Sequence, residues 1–103
     1  MLDQKVAGLL NEQVNKEFYS AYLYLDFSNF YKSRSLDGYA NWYEIQAREE
    51  MDHAMMMIRY LQDNDHEVVL GAIDKPQCTL ESPEDPLHAG LEHERYVTKL
   101  IHT

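Results

Sequence analysis

Glu50 and His53 stand three residues apart inside a long helical pattern, a spacing that turns a carboxylate and an imidazole toward one side of a helix. Joined by inward carboxylates from other helices, such a Glu-x-x-His element presents ligands to a pair of metal ions. Glu17 and Glu94 pass the same test of direction. At ~100° per residue, Val6, Val14, Glu17, Ala21 and Tyr24 fall within roughly 40° of Leu10, which puts Glu17 and Tyr24 inside an apolar stripe. Tyr39, Tyr43 and Met57 lie within roughly 20° of Glu50, with His53 about 60° to one side. Glu94 lies within roughly 60° of Leu87, Gly90, Leu91, Val97 and Ile101. Three helices therefore each aim a glutamate at the core.

Height is independent of direction and gives the same answer. In an antiparallel hairpin that turns near Ser35, level residues have numbers summing to about 70, so Glu17 faces His53 and Tyr24 faces Gln46. A crossover of about 18 residues can extend ~60 Å, which exceeds the ~39 Å of the second helix and lets the third run parallel to it. An offset of about 45 residues then sets Glu94 level with position 49. Three carboxylates at one height repel one another, raise one another's pKa values and demand a cation. Arg48 and Arg59 point about 160° and 180° away from Glu50, which leaves a divalent metal as the partner. Oxygen ligands with one imidazole suit iron better than structural zinc. Tyr24 is placed either to bond a ligand carboxylate and lend an electron or to be a satisfied core tyrosine. Glu49, ~100° from Glu50 on the His53 side, is either a ligand for a further, weaker metal or a surface acid. His66, His88, His93 and His102 match neither the height nor the phase of the cluster.

The elements that must position these residues are all helical. Apolar periodicity without proline predicts helices over about 3–32, 37–64 and 83–103, joined by a crossover over 65–82. Ser35 is a candidate cap for the second helix, while Ser82-Pro83-Glu84-Asp85 combines a cap, a first-turn proline and acids at the positive end of a helix dipole. Val68 to Ile73 reads as a short extended apolar run. Thr103 carries no helix-stop signal, so the sequence ends inside its third helix.

Composition bounds what this domain does. With 103 residues, nine basic against eighteen acidic side chains and a net charge of −9, the chain suits one modest domain that favours cations over nucleic acid or an anionic membrane. One cysteine, Cys78, excludes a disulfide framework and a four-cysteine metal site. The start has no basic region ahead of an apolar stretch, and nowhere do ~18 apolar residues run together, so a cytoplasmic protein is expected.

Glu17, Tyr24, the run Glu49-Glu50-Met51-Asp52-His53-Ala54, Glu94, the Leu36-Asp37-Gly38 turn and the long crossover together resemble the bacterial-type non-haem ferritins across the whole chain. The resemblance implies a ferritin-like four-helix bundle, represented here by the first two helices, the crossover and the start of the third. It implies a homo-oligomeric 24-subunit cage that binds iron(II), oxidises it with oxygen or hydrogen peroxide as a ferroxidase, and stores iron(III) mineral. By resemblance, Glu17 and His53 bind the first iron, Glu50 bridges, Glu94 binds the second, Glu49 serves an accessory third site and Tyr24 is the redox-active tyrosine. The fourth helix of that family, with its remaining ligands, has no counterpart, so one side of the pocket is expected to be open beside Val6, Leu10, Val14, Leu87, Leu91 and Ile101. Val68 to Ile73 would pair with a two-fold mate. Two other readings stand beside this one. Met51 occupies the place of the haem-binding methionine of bacterioferritins, and the Met55-Met56-Met57 run with eight tyrosines suits a metal-free interaction surface.

Overall fold

Asp3 starts the chain's first helix by accepting a hydrogen bond from the Lys5 N–H at 2.8 Å, the side-chain cap that an orphan helix donor requires. The computed structural model describes residues 3–101, and side chains as far as Val97. Helix α1 runs Gln4–Ser33, α2 Asp37–Asp63 and α3 Glu84–Ile101, each end within two residues of the expected bounds where it is described. His102 and Thr103 lie outside the described residues. Among those described there are three helices and no strand, the all-α arrangement of a ferritin-like bundle.

The turn between α1 and α2 differs from its expected form. Ser35 does not cap α2; it ends α1 in the left-handed region at φ 59, with its N–H bonded to the Lys32 carbonyl at 3.0 Å. The Leu36 N–H returns to Tyr31 at 2.9 Å, and this pair of reversed bonds is a Schellman closure. Leu36 also packs on the aromatic cluster below it. Asp65 (φ 61) and His66 close α2 in the same way onto Gln62 and Leu61. Both helices therefore stop without the glycine that this conformation favours.

Two apolar clusters hold α1 against α2. At the turn end, Tyr24, Phe27, Tyr31, Ala40, Tyr43 and Ala47 are buried together, with the alanines letting the helices approach. At the far end, Ala7, Val14 and Leu61 are buried with Met57, Ile58 and Val68 against them. Val14 is thus core and not part of an open groove, because Leu61 reaches over it from α2. Val6, Leu87 and Leu91 are exposed as expected, and the Ile101 side chain lies outside the described residues. Glu17 and Glu50 sit in sequence between the two clusters, at the seam.

Helix α3 is attached differently. Tyr31 donates its hydroxyl to the Pro83 carbonyl at 2.6 Å, Tyr43 reaches Pro86 at 3.5 Å, and Arg34 donates to the Glu81 carbonyl at 2.8 Å. The Asp85 carboxylate caps its N-terminus by accepting from the N–H groups of Glu81 and Ser82 at 2.9 and 3.0 Å, bonds that hold this carboxyl below its ordinary range. Gly90 crosses Tyr43 so closely that a Cβ would lie 3.1 Å from its hydroxyl. The crossover between α2 and α3 has no regular structure, yet two asparagines of α1 give it partners. Asn11 exchanges hydrogen bonds with the backbone N–H and carbonyl of Val69, both at 2.9 Å, and the Asn15 side-chain oxygen accepts from the Gly71 N–H at 2.7 Å. Val69, Leu70 and Ile73 remain exposed on this segment.

Candidate metal centre

Glu17 comes from α1, one turn past buried Val14, while Glu50 and His53 come from α2 between buried Ala47 and Ala54. One ligand atom from each of these three lies within 4.8 Å of the others, the spacing of donors around a single cation. The His53 Nδ1 is 3.8 Å from a Glu50 oxygen. Gln13, one turn before Glu17, donates to its carboxylate at 3.0 Å and fixes its direction. No lysine or arginine ion pair reaches Glu17 or Glu50 among the described residues, and Arg48 is engaged on the outer face with Glu44. Burial, followed by the hydrogen bond and charge of Glu17 and the charges of Glu94 and Glu49, pushes the Glu50 carboxyl up to about 8. The Glu50 carboxyl therefore favours its protonated form in the place where a divalent ion would sit. This donor set of two carboxylates and an imidazole fits a hard or borderline cation such as iron(II).

Glu94 and Glu49 are placed otherwise. Glu94 is not one of the three convergent donors; its carboxylate accepts the hydroxyl of Tyr24. Its charge nevertheless contributes to the upward shift of Glu50, so the two lie within electrostatic reach. Burial and the bond to Glu94 hold the Tyr24 phenol well above its ordinary range, so Tyr24 is a neutral donor at physiological pH. Tyr24, Gln46 and Glu94 line one cavity of about 230 Å³, in keeping with the expected pairing of heights for Tyr24 and Gln46. Glu49 is exposed beside Glu50 and adds a smaller charge effect to it.

His93 was assigned no place by sequence, and the structure wedges it beside the site. Its Nε2 is 2.7 Å from the hydroxyl of buried Ser20, and its ring stands edge-on to Tyr24 with centroids 6.0 Å apart. Burial lowers its pKa, opposed by the nearby Glu94 and Glu17 charges. The helical phase of α3 alone does not reveal this contact, because the partners belong to α1. Ser20, a small polar residue one turn past Glu17 on α1, was the available signal.

The chain itself has known relatives. The ferritin-like domain family matches residues 7–103. The bacterial non-heme ferritin of Campylobacter jejuni is 42% identical over 103 residues, covering 100% of this chain and 62% of the relative. Ferritin BfrB of Mycolicibacterium smegmatis is 36% identical over 100 residues, covering 97% and 55% respectively. Among solved structures, an open-pore ferritin from the archaeon Archaeoglobus fulgidus superposes with a TM-score of 0.92 at 38% identity, over 99% of this chain and 63% of that one. The chain spans about three fifths of the length of these proteins. By family match, by identity over its whole length and by fold, this chain belongs to the ferritins.

Proposed function

We propose that this chain takes part in iron storage and detoxification, with iron(II) as the substrate of the centre between α1 and α2. The observation that carries this reading is the convergence of Glu17, Glu50 and His53 within 4.8 Å, with no lysine or arginine ion pair to them among the described residues. Glu17, His53 and Glu50 would hold the first iron, and Glu94 together with Glu50 would hold the second. Glu49 then borders an accessory third site. Each of two iron(II) ions gives up one electron to dioxygen or hydrogen peroxide, and the iron(III) product passes to a mineral held inside a homo-oligomeric cage. Tyr24, hydrogen-bonded to Glu94, is the group beside the reacting ions that is able to yield an electron while its proton moves to that carboxylate. Glu50 bears the proton that iron must displace, so loading the site releases a proton.

Calorimetric titration of the metal-free protein with iron(II), without oxygen, tests the assignment. At least one site per chain is expected, and Glu50→Ala should weaken it by about tenfold or more. Binding unchanged by that substitution would overturn the proposal.

A further inference from the structure

Trp42 is the single tryptophan of the chain, and it stands 55% exposed on α2. Its ring meets Tyr43 edge-on with centroids 4.9 Å apart, and the Tyr43 ring lies 5.8 Å from that of Tyr24. Trp42, Tyr43, Tyr24 and Glu94 also line one cavity. Three oxidisable rings therefore adjoin one another from the buried phenol beside Glu94 to the surface. Phe27 and His93, the other rings against Tyr24 among the described residues, are much harder to oxidise than a phenol or an indole. Tyr31 stacks on Tyr43 at 5.9 Å, but its hydroxyl donates to the Pro83 carbonyl, which cannot keep a proton. A phenol that has nowhere to put its proton resists oxidation. Tyr43, whose hydroxyl faces the Pro86 carbonyl at 3.5 Å, is limited in the same way and serves only as a bridge. Water around Trp42 accepts the proton of an oxidised indole, which makes that ring the terminus.

We propose that Trp42 admits electrons from a one-electron reductant in solution, of the ascorbate type, and passes them across the Tyr43 ring to Tyr24, an inference that rests on the proposed iron chemistry. Dioxygen takes four electrons and four protons to become two waters, and two iron(II) ions supply only two of those electrons. Tyr24 supplies a further electron as its phenolic proton moves to Glu94. Trp42 then gives one electron to the Tyr24 phenoxyl, which recovers its proton from Glu94, and the indole N–H proton goes to water. The reductant returns one electron to Trp42 while water returns the proton. A second pass completes the reduction to water, so no hydrogen peroxide is released. Electron tunnelling falls off exponentially with distance, and the two ring-to-ring steps keep each gap short. Tyr24 is buried, so a reductant in solution reaches it only through such a relay.

The test mixes the iron(II)-loaded 103-residue chain with oxygenated buffer and freezes samples at intervals for electron paramagnetic resonance. An indole radical should appear as the Tyr24 phenoxyl decays, and ascorbate should remove it. In Trp42→Phe, a change at an exposed position, the phenoxyl should decay at least about tenfold more slowly and resist ascorbate. Tyr43→Leu should prolong the phenoxyl in the same way, whereas Tyr43→Phe, which keeps the ring, should not. Tyr24→Phe should form iron(III) without an indole radical. A phenoxyl lifetime unchanged in Trp42→Phe, or an indole radical that persists in Tyr24→Phe, would each overturn the proposal. The iron(III) absorbance is read in the same samples: its absence from the native chain would overturn the iron chemistry and this inference with it, whereas iron(III) formed with no organic radical would overturn this inference alone.

Discussion

Helix α2 and helix α3 are both neighbours of α1, and they are held by different forces. Alanines and aromatic rings bury α2 against α1 along two clusters, while α3 is tied down largely by tyrosine hydroxyls and an arginine reaching backbone carbonyls. The proposed ligands divide along the same line. Glu17, Glu50 and His53 belong to the packed pair and already converge, whereas Glu94 rides on α3 and spends its carboxylate on Tyr24. Dense packing fixes ligand geometry; polar tethers leave a ligand room to change partners.

The largest effect should come from breaking the packed pair. Phe27 is fully buried, with its ring edge-on to Tyr43 at 5.3 Å, so Phe27→Ala should cost about 3–5 kcal/mol in urea unfolding. A loss below about 1 kcal/mol would mean that the aromatic cluster is not what joins α1 to α2.

A smaller effect comes from the seam between the clusters. The folded Glu50 value of about 8 lies above the ordinary 4.5, so the folded, metal-free protein retains a proton that the unfolded chain has released. The Glu50 contribution to stability is therefore fully present below the lower value and is lost as pH rises toward the upper one, by an amount on the order of 2 kcal/mol. Thermal melts of metal-free protein between these limits should show the decline, and Glu50→Gln should flatten it. Iron(II) affinity should rise over the same range, because the proton and the metal compete. A melt that is level with pH in the native chain would remove the strain assigned to this seam.

The smallest change probes the tethers. Tyr31→Phe keeps the ring and removes only the hydroxyl bonded to Pro83, so a loss of about 1 kcal/mol is expected. Hydrogen exchange should quicken in the first turn of α3 and stay unchanged in the middle of α2. Equal acceleration in both helices would erase the distinction drawn between them.

What the sequence disclosed follows the same division. Glu17, Glu50 and His53 were legible because helical phase and antiparallel height are regular, so two short calculations bring them together. The inward direction of Glu94 was legible as well, but its bond to Tyr24 depends on how α3 docks, which periodicity does not encode. His93 was missed for that reason, since its partners Ser20 and Tyr24 lie on another helix. Ser35 looked like the start of α2 and proved to be the stop of α1, because serine caps a helix through its side chain and here its left-handed backbone is what closes the turn. The asparagine bonds to the crossover join residues more than fifty positions apart, beyond the reach of any local signal.

Those asparagines divide the path from α2 to α3 into two loops of unequal freedom. The stretch before Val69 is short and pinned at both ends, whereas the stretch from Gly71 to the capped start of α3 is longer and packs Leu80 against the aromatic cluster near its far end. Loop-closure entropy grows with the logarithm of length, so doubling the second stretch costs only about 0.6 kcal/mol. An inserted residue before Val69, by contrast, must displace a hydrogen-bonded backbone from its fixed register on α1. Length variation and grafted sequence are therefore best accommodated beyond Gly71, where the chain alters its contour without disturbing the helix that carries Glu17.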